Sequence, residues 1–216
     1  FEQLSRRAYC VGFGAAPHMV DEGVCSIEDV DRGAKVGLRW ARGPFELMNR
    51  VGVLKSFEMA QDYLKLCQDE SGKSNWQIPE FFAKQASNNQ KWDFSYVDTE
   101  ISNGIATITI NRPEAMNALN ETVIHQLGIA VDSVNSNDEV HTMVLDGAGK
   151  AFIAGADVKF FVDKIRSDSI PDIVEFTSNG HKVLNSIENS PKTTIALTTG
   201  LALGGGLELA LSLIHI

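Results

Sequence analysis

"TTGLALGGGLELAL", residues 198–211, decides how the second half of this chain is read. A strand-like run reaches Gly200, meets Gly204-Gly205-Gly206, and continues as an apolar segment of helical character. Glycine at a strand-to-helix turn either permits dihedral angles that other residues avoid or lets a ligand approach the backbone. The N–H groups opening the next helix have no partners within it, and the helix dipole places its positive end there. A developing oxyanion suits that position. Glu208 falls in the first turns of the same helix, where it can serve as general acid or base. The other reading is a tight turn, with Glu208 a surface residue that complements the dipole. This stretch alone leaves both open.

A second turn of the same kind lies in "GKAFIAGADVKFF", residues 149–161. Ala154-Gly155-Ala156 follows a short apolar segment, Asp157 can cap the helix that starts there, and Lys159 is a candidate cation for a phosphate. Taken alone, the turn reads as a βα connection with a structural cap. Taken together, the two turns supply two backbone N–H donors, a carboxylate and a lysine. That set matches an acyl-thioester site, which needs two donors on the carbonyl oxygen of a forming enolate. Neither turn has the phosphate-loop spacing G-x-x-x-x-G-K-[ST] or the dinucleotide spacing G-x-G-x-x-G, so nucleotide readings lose.

The surrounding pattern gives the fold class. In "YVDTEISNGIATITI", residues 96–110, Asn103-Gly104 separates two β-rich runs, a strong signal for a two-residue hairpin. Asn120 is placed to cap a helix carrying Val123, Ile124, Leu127, Val131 and Val134. "VHTMVLDGAG" reads as a strand, "IPDIVEFTSNGHKVLNSIEN" as a helix with Pro171 near its start, and "KTTIALTT" as another strand. Strand alternating with helix predicts a layered α/β domain with largely parallel pairing.

Residues 1–86 follow a different period. Leu4, Ala8, Val11, Ala15 and Met19 recur at helical spacing, with Gly23 placed to end that helix. Ser26 is placed to cap a second helix with Ile27, Val30, Ala34 and Leu38 as its stripe. Pro44 suits a first helical turn ahead of Phe45, Met48 and Val51. Leu54, Phe57, Ala60, Tyr63 and Leu64 continue the spacing, and Pro79 opens a last short helix. This half is expected to be all-α. The polar stretch "ASNNQKWDFS", residues 86–95, lacks the period and marks the boundary. The expected organisation is a helical domain over 1–86, a linker over 87–95, and an α/β domain over 96–211.

Composition narrows the partners. The chain has 216 residues and a formal net charge of −9, which argues against nucleic acid or an anionic membrane as the main partner. No apolar run is long enough to span a membrane, and no secretory leader pattern opens the sequence. Cys10, Cys25 and Cys67 are odd in number and scattered, as reduced cytosolic thiols are. A cytoplasmic location is expected. His18 sits on a mostly apolar helix and is assigned a structural role; His125, His141, His181 and His215 have no metal-ligand spacing, so no metal is expected.

Three motifs in order, "NRPEAMNALN" (111–120), "AFIAGADVKFF" (151–161) and "GLALGGGLELAL" (200–211), resemble the enoyl-CoA hydratase (crotonase) superfamily. The resemblance implies a spiral of ββα units, assembly through trimers, and a CoA thioester as substrate with no further cofactor. It implies that the N–H groups of Ala156 and Gly205 form the oxyanion hole, with Gly204 beside it. It places Ala154, Gly155 and Asp157 at the adenine pocket and turn, Lys159 near the CoA phosphates, and Ala115 and Met116 along the pantetheine path. Glu114 stands where members often carry a basic residue. Glu208 matches the first of two catalytic glutamates of the hydratases, the second being expected further along the chain.

"HMVDEGVCSIEDVDRGAKVGLRWARGPFELMNRVGV", residues 18–53, is similar to the C-terminal helical domain of L-3-hydroxyacyl-CoA dehydrogenases. That resemblance implies dimer-type contacts and an NAD-binding domain ahead of this module in the parent protein. A dehydrogenase module followed by a hydratase is the arrangement of fused bifunctional β-oxidation enzymes. The expected activities are hydration of trans-2-enoyl-CoA and NAD-dependent oxidation of the 3-hydroxyacyl-CoA product. The alternatives are a Δ3-Δ2 enoyl-CoA isomerase and a non-catalytic CoA-thioester-binding or assembly module. The terminal "LSLIHI" (211–216) back-translates into a transposon end used in sequencing libraries. Residues 212–216 are therefore expected to be a non-native tail on a truncated hydratase domain, and the fragment alone is expected to be inactive.

Overall fold

The computed structural model describes residues 2–66 and 77–212, so Cys67 and the last four residues of the expected tail lie outside the described residues. The chain divides into two compact units, Phe1–Phe94 and Ser95–Ile216.

The first unit is helical: α1 (Glu2–Asp21), α2 (Ile27–Gly37), α3 (Pro44–Val51), α4 (Val53–Leu66) and α5 (Glu80–Ser87). The expected punctuation is present. Gly23 N–H bonds the Val20 carbonyl at 3.0 Å and Val24 N–H that of Met19 at 3.0 Å, which satisfies the last turn of α1. Ser26 Oγ accepts from Asp29 N–H at 3.2 Å and caps α2. Pro44 occupies the first position of α3. The next two N–H groups of that helix, those of Phe45 and Glu46, each donate to the Asp31 carboxylate at 2.8 Å. Asp31 is buried, and that burial pushes its carboxyl from 3.8 up to about 6 in spite of both bonds.

The buried face of α1 differs from the sequence expectation. Ala8, Val11, Ala15 and Met19 are exposed, whereas Cys10, Phe13 and Ala16 enter the core. The helix carries two apolar stripes, and the one bearing the bulky Phe13 is the one that packs inward. Leu38 and Leu54 are likewise exposed. The core gathers Phe45, Met48, Val53, Phe82 and Trp92, and fully burying each such side chain contributes about 1.5–3 kcal/mol. Trp92, in the stretch expected to be a linker, meets Phe45 edge to face at 5.1 Å and Phe82 at 5.7 Å. Asn49 holds it in place, accepting from Trp92 N–H at 2.7 Å and donating to its carbonyl at 2.9 Å.

The second unit repeats a strand-strand-helix theme. Its elements are β1 (Val97–Ser102), β2 (Ile105–Ile110), α6 (Glu121–Asn135), β3 (Thr142–Gly147), β4 (Ala151–Ile153), α7 (Val158–Arg166), α8 (Ile170–Glu188), β5 (Thr193–Leu197), β6 (Leu201–Ala202) and α9 (Gly205–Ser212). The hairpin turns at Asn103 and Gly104, whose φ values of 52° and 76° fit a type I′ turn, and Ser102 pairs with Ile105. One sheet has the order β1-β2-β3-β5, antiparallel only at β1-β2, and a second pairs β4 with β6 in parallel. Asn120 caps α6 through Val123 N–H at 2.9 Å, and all five apolar residues expected on that helix are buried. β5 forms where a strand was expected, with Ile195 and Leu197 exposed. α9 runs through Leu211 and Ser212, the first residues of "LSLIHI".

Candidate active site

β4 and β6 run parallel, and each ends in a glycine turn followed by a helix, α7 or α9. The two turns touch. A Cβ added to Gly204 would lie 3.7 Å from the Gly155 Cα, and one added to Gly155 would lie 3.0 Å from the Leu203 carbonyl oxygen. Gly155 (φ 84°) and Gly204 (φ 47°) both occupy the left-handed region that glycine tolerates; at Gly155 the close approach calls for the same residue, and at Gly204 the dihedral alone does.

Each glycine precedes one of the expected donors. Leu119 forms a parallel bridge with Ala156: its N–H donates to the Gly155 carbonyl at 2.8 Å, and its carbonyl accepts from Asp157 N–H at 2.8 Å. The intervening Ala156 N–H therefore points away from Leu119, with no acceptor among the described residues. Gly205 opens α9, and its N–H likewise has no acceptor among the described residues, as expected of a first-turn donor. Leu119 also reaches the second turn, its Cδ1 lying 3.4 Å from where a Gly205 Cβ would sit. Thus one leucine braces both peptide units.

The remaining expected residues fall around these turns in different ways. Glu208 is exposed in the first turn of α9, with its N–H on the Gly204 carbonyl at 3.0 Å. Ala154 N–H donates to the Met116 carbonyl at 3.1 Å, which joins the Ala154 turn to the Pro113–Ala115 3-10 turn carrying Ala115. Met116 is left-handed and exposed. Lys159 is exposed in the first turn of α7. Asp157 has both carboxylate oxygens engaged. Oδ1 accepts from Lys159 N–H at 3.0 Å as the α7 cap, and Oδ2 pairs with Arg112 at 2.8 Å. Its geometry shapes the turn.

Two residues in the quoted motifs went unassigned from sequence, Arg112 and Asn117. Asn117 is fully buried and left-handed. Its Oδ1 accepts from Arg112 N–H at 2.9 Å, and its Nδ2 donates to the carbonyls of Ala148 at 2.9 Å and Ala151 at 2.8 Å. The "NRP" and "MNAL" runs contain both residues, but bonds to main-chain carbonyls 31 and 34 positions away leave no mark on sequence. Among the described residues no group of three or more His, Cys, Asp or Glu could hold a metal, and no helix is long and apolar enough to cross a membrane. Cys10 is buried and Cys25 half-buried. A groove of about 650 Å³ between α6 and α8, floored by Ile124 and Phe176, includes none of the turn residues.

Residues 105–215 match the enoyl-CoA hydratase/isomerase family, and residues 6–91 match the 3-hydroxyacyl-CoA dehydrogenase C-terminal domain. The crotonyl-CoA hydratase of Syntrophomonas wolfei is 42% identical over 108 residues, 50% of this chain and 40% of that protein. The short-chain-enoyl-CoA hydratase of Clostridium acetobutylicum is 37% identical over 109 residues, again 50% of this chain and 40% of that protein. The chain thus spans 40% of the length of each of these two relatives. Among solved structures, the enoyl-CoA hydratase from Bacillus halodurans superposes with a TM-score of 0.52 at 29% identity, covering 55% of this chain and 47% of that one. The chain belongs to the enoyl-CoA hydratase/isomerase family, its hydratase-like unit preceded by a 3-hydroxyacyl-CoA dehydrogenase C-terminal domain.

Proposed function

We propose that the second unit carries the thioester-activating part of an enoyl-CoA hydratase, in a protein that also acts as a 3-hydroxyacyl-CoA dehydrogenase with NAD. The observation that carries this reading is the contact between Gly155 and Gly204, each followed by a peptide N–H without an acceptor among the described residues. Two such donors on one thioester carbonyl oxygen favour the enolate over the ground state, because negative charge develops there only as the reaction proceeds. Fixed backbone dipoles need no reorganisation at that moment.

Water adds across the double bond conjugated to the thioester. The oxygen of water bonds C3, the π electrons move onto the carbonyl oxygen between Ala156 and Gly205, and collapse of the enolate takes a proton at C2. Glu208, one turn beyond Gly205, is the acid–base group: it takes one proton from water as the oxygen bonds C3, and it gives a proton to C2 as the enolate collapses, which restores its carboxylate. Ala115, Met116, Ala154, Gly155 and Gly204 supply the surface along which the CoA arm lies, and Lys159 meets a phosphate. The product is a 3-hydroxyacyl-CoA, the substrate type of the dehydrogenase whose C-terminal domain precedes this unit.

The whole protein, incubated with a short trans-2-enoyl-CoA in ¹⁸O-labelled water, tests the reading. The expected product is a 3-hydroxyacyl-CoA bearing the label on C3. Double-bond migration without label would assign isomerisation instead. Binding with no turnover would assign a thioester-binding module.

A further inference from the structure

We propose that Arg112 is a positioning residue for the oxyanion hole, a role that rests on the hydratase reading above. Its Nη1 pairs with Asp157 Oδ2 at 2.8 Å and donates to the Ala118 carbonyl at 3.1 Å. These two partners flank the isolated Leu119–Ala156 bridge, one on each of the two bridged segments. Ala118 precedes Leu119, and Asp157 follows Ala156. The guanidinium therefore clamps both sides of the bridge that directs the Ala156 N–H.

The clamp is rigid from behind. The Arg112 side chain is only 13% exposed and that of Asp157 only 16%, so the pair is little screened by solvent. The guanidinium lies over the Tyr96 ring at 5.6 Å. The Arg112 main chain is fixed by Asn117, which is itself anchored to the β3–β4 segment through two carbonyls. The second Asp157 oxygen caps α7. A change at Arg112 is thus passed to the bridge and the start of α7, with no contact between Arg112 and a substrate. Removing the guanidinium also leaves Asp157 largely buried without its cation, which favours movement of this turn.

The test compares the wild-type whole protein with Arg112→Gln, Arg112→Lys and Asp157→Asn. Two quantities are read: steady-state hydration, and the stretching frequency of the ¹³C-labelled thioester carbonyl of bound enoyl-CoA, which falls when the oxygen is polarised. A misdirected donor is expected to lower kcat about 10- to 100-fold in Arg112→Gln while KM stays within about threefold. The carbonyl shift should shrink in parallel, and Arg112→Lys should recover part of both. Should Arg112→Gln fail to fold, Asp157→Asn carries the test, and a reduced carbonyl shift there supports the clamp. A full carbonyl shift with kcat within about twofold, in whichever variant folds, overturns it. If the wild type neither hydrates nor shifts the carbonyl, the hydratase reading fails and the positioning role falls with it.

Discussion

Gly155 and Gly204, 49 residues apart in sequence, pack against each other with both backbones left-handed, at φ 84° and 47°. The contact brings the peptide units of Ala156 and Gly205 onto neighbouring turns at the ends of two parallel strands. A side chain at either glycine opposes this arrangement through the dihedral, and at Gly155 through crowding as well. Gly155→Ala is expected to cost about 1–2 kcal/mol from the left-handed backbone, with more from the Leu203 carbonyl that the new methyl meets. Thermal unfolding of the variant should show a lower midpoint, and hydration should fall further than the stability loss explains. An unchanged midpoint would mean that the turn relaxes freely.

In the helical unit, the Asp31 carboxylate receives two N–H groups of α3, yet its burial raises its pKa from 3.8 to about 6. Glu46 nearby adds to the rise and Lys35 opposes it. Since the folded pKa lies above the unfolded one, the folded state holds the proton more tightly. The contribution of Asp31 is fully present below about pH 4 and is lost as pH rises to about 6. Urea titrations of wild type and Asp31→Asn across this range should show the wild type losing stability relative to the variant. A constant difference with pH would remove the argument.

Trp92 joins the polar 87–95 stretch to the helical core through three aromatic neighbours and the two Asn49 hydrogen bonds. Trp92→Ala is expected to destabilise this unit by about 3–5 kcal/mol. Asn49→Ala, which strands two main-chain groups, is expected to cost about 1–3 kcal/mol. Chemical denaturation followed by far-UV circular dichroism measures both.

How much of this was legible in the sequence varied with the kind of signal. Asn103-Gly104, Ser26, Pro44 and Asn120 announce turns and caps by chemistry that acts over two or three residues, and the structure uses each of them as expected. The stripe on α6 was readable because only one of its faces is apolar. On α1 two faces are apolar, and periodicity cannot choose between Val11 and Phe13; packing against α4 does. Strand β5 opens on two threonines, and its Ile195 and Leu197 share one exposed face, a placement that so short an apolar run does not announce. The two glycine turns stood out in sequence, but their mutual contact depends on the β4–β6 pairing. The same is true of Leu119, which acts through backbone bonds that no residue type encodes, and of Arg112, whose partners Ala118 and Asp157 are brought beside each other only by the Leu119–Ala156 bridge.

Lys159 is exposed beside the Asp157 cap, and under the proposed function it meets a phosphate of CoA. Lys159→Ala should raise KM for the CoA thioester about 3- to 10-fold with kcat almost unchanged, the size of one exposed charge contact. The effect should fade as salt rises, because the contact is solvent-screened. Rate measurements at low and high ionic strength decide it, and a fall in kcat at constant KM would assign Lys159 a different role.

Under the proposed function, the exposed Glu208 carboxylate, one turn beyond the Gly205 donor, performs acid–base chemistry on a thioester held by the two turns. Steady-state hydration by the whole protein carrying Glu208→Gln, measured beside direct CoA-thioester binding, tests it most directly. The expected result is a fall in kcat of about 10²- to 10⁴-fold with binding nearly unchanged. Hydration within a few-fold of the wild type would contradict it and return Glu208 to the role of a surface residue complementing a helix dipole.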